Sequence, residues 1–260
     1  MGPLVAILTT MKKFTSTSIL TVIILISFAQ YKMRSLDELI NRTDPGWPVV
    51  KQWIDSAKNK VEILAVDTLK AKDALYKTQV TTRSVMGAIV YSTGGLLIDD
   101  GWIRILGSGS SKLKRTLPDW NKGKAFDQFG DRPAFFLVAD DAAGGYFAIN
   151  YGNFGNDIDS IYYLSPDDLK WEPLEMNYED FIWFCFNGDI KNFYTGLRWS
   201  TWQNDVTTIK GDEVFNFYPP LWSKEGKDVE KSSRKPVPVE EQFIYNLELR
   251  KKMGLDKNGY

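Results

Sequence analysis

The chain has no histidine and only one cysteine in 260 residues. Without imidazole there is no Ser-His-Asp or Cys-His catalysis, no His-ligated zinc and no imidazole acid–base chemistry. A lone Cys185 allows neither an internal disulfide nor a thiolate metal cluster. It lies in Phe181-Ile182-Trp183-Phe184-Cys185-Phe186, an apolar helical run where a thiol is expected to be buried and inert. A basic field is missing too. Three of the 32 bases, Lys12, Lys13 and Lys32, precede Arg34 and no acid does, which leaves 29 bases against 33 acids from Arg34 onward. Nucleic-acid binding is dominated by phosphate contacts and needs a basic surface, so nucleic acid is set aside as a partner. No dinucleotide, P-loop or calcium-loop spacing occurs, and no cofactor or metal is implied.

An apolar run of membrane-spanning length is also lacking. Ile19 to Phe28, broken by Thr21 and Ser27, falls short of the ~20 residues a span needs. It follows the positive start Met11-Lys12-Lys13, and Ser27 and Ala29 are spaced like a signal-peptidase site. Residues 1–29 therefore read as a secretory leader, giving an exported protein, periplasmic or secreted, with no stable membrane span after cleavage. A start at Met33 is the alternative, and it would leave the protein cytoplasmic.

What is present is aromatic: 9 Trp, 12 Tyr and 15 Phe, enough to fill a core or to furnish a binding surface. Residues 30–260 read as one α+β domain. Ser35 to Glu38 has capping-box spacing, and Asp44-Pro45 predicts the start of a helix carrying Trp47, Val50 and Ile54. Val61 to Val66 predicts a strand, and Asp67 caps a further helix. From Thr81 short strands are expected at Gly87–Tyr91, Leu96–Ile98, Trp102–Leu106, Pro133–Ala139, Gly145–Asn150, Ser160–Leu164 and Lys170–Leu174. Helices follow at Tyr178–Phe186 and Val239–Lys252. The polar stretch Gly107–Arg132 reads as a long insertion, and the charged stretch Lys224–Lys235 as a mobile one. Helices, an antiparallel meander, then helices again is α+β order.

Several groups of residues carry a possible chemistry. Ser108 belongs to Gly107-Ser108-Gly109-Ser110-Ser111, whose amides beside Lys112, Lys114 and Arg115 suit a flexible loop or an anion cradle. The pairs Asp99/Asp100, Asp140/Asp141 and Asp167/Asp168 read as turn residues bonding their own backbone. Two-carboxylate hydrolysis would need two acids facing each other at roughly 5–9 Å. Arg83, among Thr81, Thr82 and Ser84, and Arg198, beside Trp199, could each grip a carboxylate or phosphate or be locked structurally. Trp199, Trp202, Tyr218 and Trp222 form either a stacking platform or packed loops. On the expected meander, Arg83 and Asp99 share one sheet end and Ser108 lies at the other.

The stretches Arg34 to Ile40, Thr81 to Tyr91, Gly94 to Asp99, Gly101 to Gly109 and Phe217 to Trp222 resemble a bacterial domain-of-unknown-function family, family 2625, across about Arg34 to Val239. That resemblance implies no activity. A shorter likeness, through Phe136 to Asp140, Gly145 to Ile149, Ile161 to Tyr163 and the helix Tyr178 to Phe186, is similar to the SUKH superfamily. It implies strands paired around an acidic turn and closed by an apolar helix, in a group of immunity and scaffold proteins without catalytic residues. Two functional readings stay open: a non-enzymatic protein-binding module with a toxin-like partner, and an exported glycan-binding protein using the loop aromatics. The missing histidine, metal and nucleophile motifs weigh against an enzyme.

Overall fold

The computed structural model describes residues 32–256; the leader read at 1–29 lies outside the described residues. Two short helices come first, α1 (Leu36–Leu39) and α2 (Trp47–Asp55). The capping box forms, with Glu38 accepting from the Ser35 amide at 2.7 Å. α2 opens two residues later than Asp44-Pro45 predicts, with Gly46 as N-cap and Pro48 in the first turn. Gly46 is held there because its amide donates to the Thr82 carbonyl, while Asp44 pairs with Arg83.

Strand β1 (Val61–Ile63) is followed by α3 (Thr68–Thr78), where Asp67 accepts from the Leu69 and Lys70 amides as a cap should. The next element corrects the sequence reading. Val85–Ser92 is a helix, α4, not a strand at Gly87–Tyr91. Its residues Val85 to Val90 are all buried, so the sequence shows neither a polar face nor alternation, and periodicity cannot tell helix from strand. The Ser84 hydroxyl decides, capping the Gly87 amide at 3.1 Å.

Strands β2 (Gly95–Ile98), β3 (Ile103–Leu106), β4 (Phe135–Asp141), β5 (Tyr146–Asn150), β6 (Ile161–Leu164) and β7 (Trp171–Pro173) join β1 in a seven-stranded sheet. They pair antiparallel in sequence order, so the predicted α+β meander holds. One cross-strand row runs Glu62, Leu97, Arg104, Asp140, Tyr146, Leu164. The opposite face carries Leu96, Ile105, Ala139, Phe147 and Tyr163. Helix α6 (Tyr178–Asn187) covers this second face, with Phe181 at 4.8 Å from the Phe147 ring, and short α7 (Ile190–Phe193) and α8 (Trp202–Val206) follow.

The Gly107–Arg132 stretch is no loose insertion. It holds helix α5 (Leu117–Asn121), capped by Thr116, with Pro118 in the first turn where its missing N–H costs nothing. Leu113, Leu117 and Trp120 are buried, and the Asn121 amide exchanges two hydrogen bonds with the Leu137 backbone beside the β4 bulge. Nor does Lys224–Lys235 hang free, since Gly226, Val229 and Ser232 are buried. It leads into β9 (Ser233–Pro238), which pairs with β8 (Glu213–Tyr218) in a hairpin the sequence reading missed. Helix α9 (Val239–Lys252) completes the chain's cover of the Arg104 face, its Phe243 ring 4.8 Å from Tyr146. Among the described residues no helix is long and apolar enough to cross a membrane.

Gly87 gives a test of the corrected α4. Alanine inside a helix ordinarily gains about 1 kcal/mol over glycine. A Cβ at position 87, however, would be driven onto the Thr81 carbonyl oxygen. Gly87→Ala should therefore lower the unfolding free energy by about 2 kcal/mol, the cost of overpacking, in urea denaturation. A stabilised variant would refute the packing described.

Candidate functional site

The turn between β2 and β3 places the site. Asp99 and Asp100 both take left-handed backbone, φ 54° and 62°, and turn the chain so that Trp102 enters the core fully buried. From the C-terminal third, Arg198 reaches this turn. Its Nη2 lies 2.7 Å from Asp99 Oδ2. The guanidinium carbon sits 3.9 Å from the Trp202 ring centre, 4.8 Å from Trp102 and 5.1 Å from Tyr194, a cation walled by three aromatic rings. Burial pulls the guanidinium below its ordinary value, and Asp99 opposes that pull. Asp99, Arg198, Tyr194 and Trp202 border an open cleft of about 760 Å³, with Asn59, Lys191, Thr195, Ser200, Gln203 and Glu230 supplying its polar lining. Ser200 holds Glu230 by its amide at 2.8 Å and its hydroxyl at 2.6 Å.

Tyr194 joins the cleft to the sheet. Its hydroxyl donates to Asp141 Oδ2 at 3.1 Å, and Tyr163 donates to the same oxygen at 2.7 Å. Asp141 Oδ1 accepts from the Ala143 and Gly145 amides. The neighbouring Asp140 points to the other face, as successive strand residues must, and meets Arg104 at 2.6 Å and Arg115 at 2.6 Å. Arg115 continues to Asp212 at 3.0 Å. Asp140 is fully buried and committed to Arg104 and Arg115, which corrects its reading as a turn residue, whereas the buried Asp141 keeps the turn role through the Ala143 and Gly145 amides and adds the two tyrosine hydroxyls. The signal for this was a charge inside each apolar strand, Arg104 in Ile103–Leu106 and Asp140 after Phe135–Ala139. Asp167 and Asp168 do keep turn roles, bonding the Ser165 hydroxyl and the Lys170 amide. Cys185 is buried and free, its thiol pushed up by burial.

Of the eight residues singled out from the sequence, Asp99, Arg198, Trp199 and Trp202 come together here. Arg198 stacks on Trp102 and Trp202 instead of on its neighbour Trp199, which Arg234 covers at 4.3 Å. Trp199 is buried, donating to Asp205 at 2.5 Å. Tyr218 and Trp222 border a separate hollow of about 120 Å³ with Asn216 and Gln242, so the four aromatics do not make one platform. Ser108 is buried and donates to the Thr93 carbonyl at 2.7 Å, at the Gly95–Leu106 end of the sheet and away from Asp99. Arg83 pairs with Asp44 at 3.1 Å on the surface. Arg83 does not share a sheet end with Asp99 as expected, because helix α4 and not a strand follows it. Of the bases that the alternative anion cradle around Ser108 would use, Lys112 pairs with Glu62, and Arg115 with Asp140 and Asp212.

Comparison with known proteins adds a lineage. The family model described as "Protein of unknown function DUF2625" matches residues 36–242. An uncharacterized protein of Haemophilus influenzae is 42% identical over 223 residues, covering 86% of this chain and 98% of the relative. The uncharacterized protein YbfG of Escherichia coli (strain K12) is 39% identical over 218 residues, covering 84% of this chain and 98% of the relative. No solved structure matches the chain.

Burial raises the Asp141 carboxyl above its usual value, against the pull of the Tyr163 hydroxyl, the Gly145 amide and Arg104. A carboxyl raised in the native state binds protons more readily folded than unfolded. Its contribution to stability is thus fully present below the unfolded value, about 3.9, and is lost as pH rises through the native one. Asn at this position keeps the acceptor for both amides but does not titrate. The stability of the wild type relative to Asp141→Asn should fall as pH rises through that window, followed by urea midpoints between about pH 3.5 and 7. A flat difference would contradict the assignment.

Proposed function

The chain belongs to the DUF2625 family, and from its geometry we propose that it is a non-enzymatic protein-binding module that takes an extended segment of a partner along the open edge of β1. One observation carries this reading. Among the described residues, β1 is the first strand of the sheet and pairs only with β2. The Asp99 amide donates to the Lys60 carbonyl, the Leu64 amide to Gly95, and the Gly94 amide to Leu64. Lys60, Glu62 and Leu64 thus face β2, and by alternation the N–H and C=O groups of Val61 and Ile63 face away. Such an edge is a template for an added strand.

The flanking surface suits an apolar segment. Ile63, Val66 and Leu69 are 41%, 44% and 78% exposed. The sheet's other edge, β7, contains Pro173, whose ring removes a donor. The open edge also begins beside Asn59, which lines the cleft, so an added strand would run toward the Arg198 site. A toxin-like protein neutralised by this chain, or a client held by it as a scaffold, fits this mode of binding. Export, as the 1–29 stretch suggests, would place the encounter outside the cytoplasm.

A photo-crosslinking amino acid at position 69, in host cells, should yield a discrete protein adduct. Adding Ile63→Pro removes an outward donor without touching the β1–β2 ladder and should abolish the adduct. Ile63→Ala, which keeps the donor, should retain it. Survival of the adduct in a folded Ile63→Pro variant, checked by near-UV circular dichroism, would refute strand addition.

A further inference from the structure

We propose that the Arg198 cleft is a carboxylate-binding pocket, in which the acid group of a ligand takes up the guanidinium that Asp99 holds in the ligand's absence. This rests on the reading of the chain as a binding protein, but not on strand addition at β1.

The guanidinium is nine-tenths buried, with 10% of its side chain exposed, and it borders a cleft large enough for an amino-acid-sized group. Its Nη2 is met by Asp99 at 2.7 Å, but its Nε has no hydrogen-bond acceptor among the described residues. The Trp102 indole N–H lacks an acceptor too, in a fully buried ring that packs against the same guanidinium outside the cleft lining. A desolvated cluster with surplus donors is matched by a ligand rich in acceptors. A planar guanidinium presents paired N–H groups at the spacing of a carboxylate's two oxygens.

Charge selects the class of anion. Arg198 and Lys191 meet Asp99 and Glu230 across the cleft, so the lining is balanced. That suits a monoanion better than a phosphate dianion. The walls suit a short aliphatic or peptide stem, with the half-buried Trp202 ring and Ile190 beside the polar Asn59, Thr195 and Gln203. Asp99 is the built-in competitor for Arg198. Its left-handed backbone, φ 54°, is one that asparagine also tolerates, so its charge can be removed with little strain.

The full chain is titrated with the capped dipeptide Ac-Ala-Glu-NH2, its glutamine analogue, acetate and inorganic phosphate at matched ionic strength, followed by tryptophan fluorescence and calorimetry. The glutamate peptide should bind saturably and the glutamine peptide should not. Asp99→Asn should bind the glutamate peptide roughly five- to tenfold more tightly, because the competing carboxylate is gone. Arg198→Lys should weaken it by about tenfold, since a point charge replaces the fork. Tighter binding of the peptide than of acetate assigns a polypeptide carboxylate, and equal binding assigns a free small acid; both sustain the pocket. A folded Asp99→Asn variant that binds neither peptide, or both alike, overturns the proposal, as does phosphate binding more tightly than the acid. If Arg198→Lys does not fold, Asp99→Asn still decides. The adduct at position 69 is unaffected by any of these outcomes, so the two readings fail separately.

Discussion

Arg104 bonded to Asp140 inside the sheet is the contact on which the architecture depends. The two are cross-strand neighbours on β3 and β4, 1% and 0% exposed. Withdrawing two such ions from water costs several kcal/mol each, and the return comes only if every donor and lone pair is filled. The chain fills them from distant segments. Arg104 donates to the Glu213 and Asp141 carbonyls as well as to Asp140. Arg115 brings in the second Asp140 oxygen, Asp212 and the Gly211 carbonyl. An apolar hairpin could slide along an apolar sheet face. A guanidinium that must meet Asp140, Asp141 and Glu213 together admits one register. The stretch around Arg115 and the β8–β9 hairpin are therefore structural parts of the domain, whatever their composition suggests.

The adjacent carboxylate turns the same strand end into the foundation of the cleft. Asp141 faces the α6 side, where it fixes two tyrosine hydroxyls, and one of those rings is a wall of the Arg198 cage. Two consecutive aspartates thus anchor two layers, because strand residues alternate in direction. The charged row of the sheet holds the C-terminal hairpin, and the other face orients Tyr194. A cage with only one fixed wall would let Arg198 swing to solvent. With Tyr194 tied to Asp141 and Trp102 buried behind the Asp99–Asp100 turn, the guanidinium has a defined place.

Local rules were legible where one signal acted alone. Asp67 before Thr68 marked a helix start, and the alternation of apolar runs with Gly- and Asp-rich turns marked β2 through β7. They failed where tertiary context overrode composition. Val85 to Tyr91 is apolar all round because α4 is buried between α2, α3 and α6, so its sequence carries no face. β9 contains Pro236 and Pro238, which argue against a strand, yet the ladder forms because β9 pairs on one side only and belongs to a two-stranded sheet. The candidate site was half legible. Asp99, Arg198, Trp199 and Trp202 were visible as residue types, but nothing in the sequence singled out Trp102 or Tyr194. Nothing local says that Tyr194 will meet Asp141, 53 residues away.

The cleft departs from the pattern that the Asp140 network follows. There each guanidinium of the pair has acceptors, whereas the Arg198 Nε and the Trp102 indole nitrogen have none among the described residues. A buried unmet donor costs about 1–3 kcal/mol, and stacking of a cation on aromatic faces returns about 0.5–2 kcal/mol. The same turn also holds two non-glycine residues at positive φ, a further local cost. A fold that satisfies its buried charges so fully on one face of a sheet has the means to do so on the other. At the Asp99–Arg198 contact, an unmet buried donor and a left-handed turn lie together beside an open cleft. The satisfied network on the Arg104 face supplies stability against which these local costs at the cleft can be held.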